Sequence, residues 1–511
     1  MTEQEKEFME ELQKEVETLR VELAYAREQI KQLIRHSFGR SKETVKEENP
    51  DQLSLFEEDC QALPPSEPEE VIVVHRRKKK RKGHKAELLK DLPAQEVHYE
   101  LIGEECQCPE CQENLKEIGR KLIREEPVFF PARLEKKQHI QHRYCCSHCE
   151  QEGETNIFEA KVPRALLPHS LASASLVTEI ITQKFDLHLP LHRQEKEWKD
   201  RGLSLSRRTI SHWLIRICDY YLRPLTDLFK EYLLKQPAIH ADETTYRMTD
   251  SQQFKNYFWL FRSIEQEKHP VVYYAFDESR GKKALTQILP EGYRGYLHCD
   301  GYSAYNQLTE SIQVGCFAHL RRYFFEALPS EKELRKESPA MDGVRWCNAL
   351  FKEDEAIRKE CETFEQIHAQ RGERLEPLLN DFREWADRVN AASQSKLGKA
   401  LTYLRNQWKH LNNVLKDGRL ALSNNLAERS IRPVVLGRKN YLFSTCAQGA
   451  HANAIYYTIV ETAKANGLNV RSYLNYLLTY LPQMDLLTEE ALSEFLPWHP
   501  TVQLVCQQTA K

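Results

Sequence analysis

No apolar run in this chain of 511 residues approaches the length of a membrane span, and its N-terminal stretch is charged, without the apolar core of a signal peptide. These absences exclude membrane-spanning function and predict an intracellular, cytoplasmic protein. Internal repeats and a glycine-rich phosphate loop are also missing, which removes solenoid arrays and P-loop nucleotide hydrolysis. Nor is there a large net charge: 73 Lys+Arg against 76 Asp+Glu leave −3, so any nucleic-acid binding must come from local basic patches. What is present is ordinary core material, 41% hydrophobic, in a chain long enough for several domains. Of 14 cysteines, six crowd between 106 and 149. In a reducing compartment such crowding points to metal binding more than to disulfides.

Met9, Leu12, Val16, Leu19, Leu23, Ala26, Ile30 and Leu33 alternate spacings of 3 and 4, the a and d positions of a coiled coil. Residues 1–43 are therefore expected to be an oligomerisation helix, and 44–90 a Glu-, Pro- and Ser-rich linker that carries the basic run RRKKKRK at 76–82. Within residues 91–160, Cys108, Cys111, Cys146 and Cys149 form two CxxC knuckles whose four thiolates suit one structural zinc in a zinc-ribbon-like module. Cys106 and Cys145 stand beside the knuckles as alternative ligands. Residues 161–230 read as helical, with helix, glycine turn, helix at 191–201, Gly202 and 207–221, the grammar of a helix-turn-helix. Ser204 or Ser206 would cap its second helix, and Arg207 and Arg208 open that helix where recognition helices meet DNA.

From residue 237 the pattern turns to strands: 238–248, 257–264 and 271–276, then a helix at 282–289, a strand at 295–299, a strand at 312–317 and a basic helix at 318–328. This is the element order of an RNase H-like α/β core, residues 231–328 and 417–465, except that the link between the fourth and fifth strands is too short for much helix; an all-helical insertion at 329–416 interrupts it and a helical tail at 466–511 follows. In that fold the fourth strand lies parallel beside the first, bringing Asp242 and Asp300 together. Glu243 is a rival for the first position.

The third acid stands in SNNLAERSIRPVVLGRKNYLFS, residues 423–444. Asn424 or Asn425 can cap a helix with Glu428 in its first turn, and Arg432, Arg438 and Lys439 follow as phosphate-binding cations. Alone, Glu428 and Arg432 also read as an i,i+4 surface ion pair. Pro433 predicts a kink or break. Three converging carboxylates repel unless cations join them, and two Mg²⁺ ions serve in-line phosphoryl transfer at such a site.

PLHRQEKEW, HADETTYRM, CDGYSAY, GCFAHLRR, NNLAERSIRPVVLGRKNYLF and the Leu496-Pro497-Trp498 tail resemble the DDE transposases of the insertion-sequence-sixty-six family. The resemblance implies Asp242, Asp300 and Glu428 as catalytic Mg²⁺ ligands and Cys108, Cys111, Cys146 and Cys149 as zinc ligands. It further implies a bacterial, nucleoid-associated protein that binds terminal inverted repeats and target DNA, pairs through its coiled coil, and has accessory transposition proteins as candidate partners. Several DDE transposases carry Cys-x2-His after the second Asp, which gives Cys316-Phe317-Ala318-His319 a possible supporting role. Cys316 is expected in the sheet core, and His319, with Arg321 and Arg322, near DNA or the active site. Two rival readings are an RNase H-like nuclease that cuts without joining and a zinc-dependent DNA-binding regulator with an inactive core.

Overall fold

Aromatic and β-branched runs after residue 237 build the sheet that organises everything else. The structure, a computed structural model, describes residues 134–145, 157–289 and 292–507. The coiled-coil stretch, the basic run and the cysteines at 108, 111, 146 and 149 lie outside the described residues. A short antiparallel pair, β1 (Arg143–Cys145) and β2 (Ile157–Glu159), precedes the main body. Four helices follow: α1 (Ala174–Ile181), α2 (Leu191–Asp200), α3 (Arg207–Ile217) and α4 (Arg223–Leu234). Gly202 turns the chain between α2 and α3 at φ +88°, a left-handed angle that glycine adopts without a Cβ clash. Ser206 caps α3 by accepting from the Thr209 amide, which settles the choice between the two serines.

The main sheet has five strands: β3 (Ala238–Tyr246), β4 (Asn256–Ser263), β5 (Val272–Asp277), β6 (Tyr296–His298) and β7 (Ile312–Val314), in the order β5-β4-β3-β6-β7. The first three form an antiparallel meander; β6 pairs parallel with β3, as expected, and β7 parallel with β6. Helix α5 (Lys282–Ile288) connects β5 to β6, and α6 (Phe317–Glu326) follows β7. Strand β7 stops three residues short of expectation. The amide of Gly315 bonds to the His410 carbonyl and that of Phe317 to the Leu422 carbonyl, so these donors leave the ladder for partners outside the sheet.

Residues 339–412 are largely helical: α7 (Pro339–Glu360), α8 (Phe364–Gln370), α9 (Glu376–Arg388) and α10 (Lys396–Asn412). Their apolar faces form a hydrophobic cluster with α6, around Phe324, Leu350, Leu379, Phe382 and Leu404. The chain then returns to the sheet through α11 (Asn425–Tyr441), α12 (Ala447–Ala465) and α13 (Val470–Tyr480). Helix α12 guards the outer edge of the sheet. Thr458 accepts from the Tyr274 amide, and Thr462 both accepts from and donates to Val272, satisfying backbone groups that an edge strand otherwise exposes. Pro433 does not break α11, which runs on through it. The carbonyl of Ser430 takes the Tyr274 hydroxyl and that of Pro433 the Tyr457 hydroxyl, so the surrounding core supplies bonds on this stretch of helix. Among the described residues no helix is long and apolar enough to cross a membrane.

A buried ionic cluster fixes the return path. Arg371 is fully buried; its guanidinium meets Asp354 at 2.6 Å and donates to the carbonyls of Val414, Asp417 and Leu420. Asp354 also receives Arg358 at 3.0 Å. These bonds hold the segment that ends four residues before Asn424. Removing the carboxylate leaves two guanidinium groups without their counter-charge. Asp354→Ala is therefore expected to destabilise the protein by about 3–5 kcal/mol. Denaturant melts will measure it, and a loss below about 1 kcal/mol would mean that the cluster is not what anchors this segment.

Candidate active site

The parallel register between β3 and β6 aligns His240 with His298. Asp242 and Asp300 each follow that pair by two residues, so one period of the pleat carries both acids to the same end of neighbouring strands. The two imidazoles stack with centroids 4.3 Å apart at 12°. Both are buried, and burial lowers both pKa values, that of His240 to about 4, so the rings are neutral beneath the acids.

Asn424 sits at the N-cap of α11 but its side chain does not cap. Instead its amide donates to the Ala241 carbonyl at 2.8 Å, and its carbonyl oxygen meets His240 Nδ1 at 2.8 Å. The first turn of the helix is thereby tied to the strand residue that precedes Asp242. Glu428 lies in that turn, with its side chain 9% exposed. Farther along α11, Ser430 accepts from Arg262, and Arg438 donates to the hydroxyls of Thr244 and Thr245 at 3.0 and 2.8 Å. Arg438 is thus engaged against β3, a positioning contact that spacing alone did not reveal. Arg432 and Lys439 are exposed on the same helix.

The structure brings the charges of the three acids within mutual influence. Burial raises the pKa of Asp242 well above the usual carboxylate range, and Glu243, Glu428 and Asp300 push it further. Burial raises Glu428 to about 7, with Arg322 and Arg432 opposing and Asp300 adding to the shift. One oxygen of Glu428, Oε2, is buried without a hydrogen-bond partner. Asp300 accepts from the Tyr302 amide at 2.9 Å, an Asx turn that orients its carboxylate. The rival Glu243 is otherwise occupied: Arg280 donates to it at 2.8 Å and the Tyr305 hydroxyl at 2.6 Å.

His319 stands in the first turn of α6 with Nδ1 3.6 Å from Glu428 Oε1. Burial lowers its pKa to about 4, so it is a neutral neighbour. Arg321 reaches away to Asn348 at 2.6 Å. The cation whose charge falls on Glu428 is the next residue, Arg322. Helical spacing leaves that choice open, because consecutive residues differ in direction by about 100° and the facing partner is set by packing. Cys316 is fully buried, as expected, and its sulfur accepts from the Asn424 amide at 3.2 Å. Arg207 and Arg208 lie exposed at the start of α3.

The sequence model of the Transposase IS66 family matches residues 169–452, which include all three acids. Models of the zinc-finger binding domain of transposase IS66 and of the IS66 C-terminal element match residues 105–150 and 458–498. A further match, described as Transposase C of IS166 homeodomain and carrying a leucine-zipper label, covers residues 26–97. Three similar proteins come from Sinorhizobium fredii (strain NBRC 101917 / NGR234), each named only as uncharacterized. The protein y4jD is 28% identical over 96% of both chains. The protein y4hP is 27% identical over 72% of this chain and 68% of its own, and y4qI is 28% identical over 68% and 66%. With its family match spanning more than half its length and the accessory modules in order around it, this chain belongs to the IS66 family of transposases.

Proposed function

We propose that this protein is a DNA transposase of the DDE type, with an RNase H-like core and a helical insertion at 329–416. Its catalytic residues are Asp242, Asp300 and Glu428. The observation that carries the reading is the convergence of three carboxylates from β3, β6 and α11, one of them with a buried, unpartnered oxygen. The strand order β5-β4-β3-β6-β7 supports the core assignment. An all-oxygen donor set fits a hard divalent cation such as Mg²⁺. Held by these acids as a pair of ions, Mg²⁺ would supply activation of the attacking oxygen and charge neutralisation at the leaving oxygen of a phosphodiester.

The protein's own groups do the rest. Asp242 and Asp300 present carboxylate oxygens from the sheet, and a bound divalent cation would favour the charged form of Asp242 that burial disfavours, while the Asn424 tether keeps Glu428 in reach of both. Arg322 and Arg432 favour the charged form of Glu428, and Arg432 is assigned to hold a phosphate. The first reaction hydrolyses a phosphodiester at the end of the element and frees a 3′-hydroxyl; the second directs that hydroxyl at a phosphodiester of target DNA. Arg207, Arg208, His319, Arg321, Arg438 and Lys439 are the further residues assigned to DNA, Arg207 and Arg208 by their exposure on α3 and Lys439 by its exposure on α11. The zinc module, with one structural Zn²⁺ on Cys108, Cys111, Cys146 and Cys149, and the basic run would add contacts to the terminal inverted repeats. The coiled coil would pair two copies.

Asp242→Asn, Asp300→Asn and Glu428→Gln are each expected to lower Mg²⁺-dependent cleavage by on the order of 10³-fold or more while leaving binding of end DNA intact. Gel assays on labelled ends test this, and a Glu428→Gln variant that still cuts would sink the assignment. Pre-cut ends should be joined to target DNA by the wild type; an enzyme that cuts but never joins is a nuclease.

The same charge balance sets a pH dependence. Burial raises the pKa of Glu428 from its ordinary 4.5 to about 7 in the fold, so its contribution to stability is complete below the lower value and is lost as pH rises through the upper. Without added divalent cation, stability should fall from about pH 5 to about pH 8, and Glu428→Gln should fall less by up to about 3 kcal/mol. Thermal melts at the two pH values decide, and equal falls in both proteins would refute the assignment of that titration.

A further inference from the structure

Three side chains of different chemistry close on one point beside the acids. Cys316 directly precedes α6, His319 lies in its first turn, and Glu428 lies in the first turn of α11. The sulfur, a ring nitrogen and a carboxylate oxygen all lie within 4.8 Å of one another. Two of the polar atoms there, His319 Nδ1 and Glu428 Oε2, are buried and have no hydrogen-bond partner. At 3.6 Å the contact between His319 Nδ1 and Glu428 Oε1 is too long to be a hydrogen bond. Buried polar groups rarely stay unpartnered, because each such group is costly in water-free surroundings. A bound cation removes that cost for both at once.

The donor set decides which cation. Mg²⁺ takes oxygen ligands and keeps its waters, whereas thiolate, imidazole and carboxylate together suit zinc and its analogue cobalt, with a fourth position left open. We propose that Cys316, His319 and Glu428 form a second metal site, selective for zinc-like ions, which competes with Mg²⁺ for Glu428 and so restrains phosphoryl transfer. Binding replaces the thiol proton of Cys316, which passes to solvent; nothing is oxidised or reduced. The binding half of this inference stands on geometry alone, while the restraint rests on the catalytic role proposed for Glu428.

The test uses the full chain with its zinc-finger region loaded with zinc, titrated with Co²⁺. As cobalt binds, the wild type should develop a thiolate-to-cobalt charge-transfer band, which cobalt on the carboxylates alone cannot give. Cys316→Ser should lose the band, His319→Gln should bind cobalt more weakly, and Asp242→Asn should keep it. No such band in the wild type, or a band that persists in Cys316→Ser and so arises from exchange in the zinc finger, overturns the site. Should Cys316→Ser fail to fold, His319→Gln decides by itself, with unchanged cobalt affinity as the refuting result. For the restraint, zinc should inhibit Mg²⁺-dependent cleavage by the wild type more than by Cys316→Ser, and equal inhibition refutes competition. Failure of the catalytic reading is distinguishable, since it would appear as cleavage by Asp242→Asn.

Discussion

The parallel ladder between β3 and β6 is the constraint on which the rest of the site depends. It sets His240 against His298 and, two residues on, delivers two carboxylates to one end of the sheet. The stacked rings are buried and neutral, so they make a firm floor that adds no charge to the repulsion above it. His240 then reaches across to Asn424. Through that bond the position of a helix more than a hundred residues farther along the chain is referred to the same strand.

Holding acids together in a buried setting works against folding, and the surrounding structure offsets it. Burial and mutual repulsion push Asp242 and Glu428 toward their protonated forms. The anchors lie to either side of the acids: Asn424 on β3, Arg262 on Ser430, Arg438 on Thr244 and Thr245, and the Arg371 cluster behind the returning chain. None of these anchors neutralises the acids outright. The electrostatic cost is therefore concentrated at the acids and the compensation lies elsewhere.

Much of this was legible in the amino-acid sequence. The apolar and aromatic strand runs, the glycine turn between α2 and α3, and an acid within the first strand with another just past the fourth follow from local pattern, and the structure carries these elements within a few residues. What pattern could not supply is long-range hydrogen bonding. Asn424 reads as a helix cap and acts as a tether, since its amide finds a better partner in a strand far away in sequence. Arg321 and Arg322 are equivalent on paper, but Asn348 takes the first and leaves the second facing Glu428. Pro433 reads as a kink or break, and α11 continues through it without a break. Glu243 is held by Arg280 and Tyr305, partners that local pattern could not reveal. The cluster of Cys316, His319 and Glu428 joins residues on two helices, so a lone Cys-x2-His could not announce its third member.

The central claim is that Asp242, Asp300 and Glu428 share divalent metal. Anomalous diffraction from crystals soaked in Mn²⁺, a stand-in for Mg²⁺ with the same preference for oxygen, tests it most directly. Manganese is expected bonded to carboxylate oxygens of all three acids at about 2.1 Å. Manganese ligated by Glu243 in place of Asp242, or none among the three acids, would contradict it.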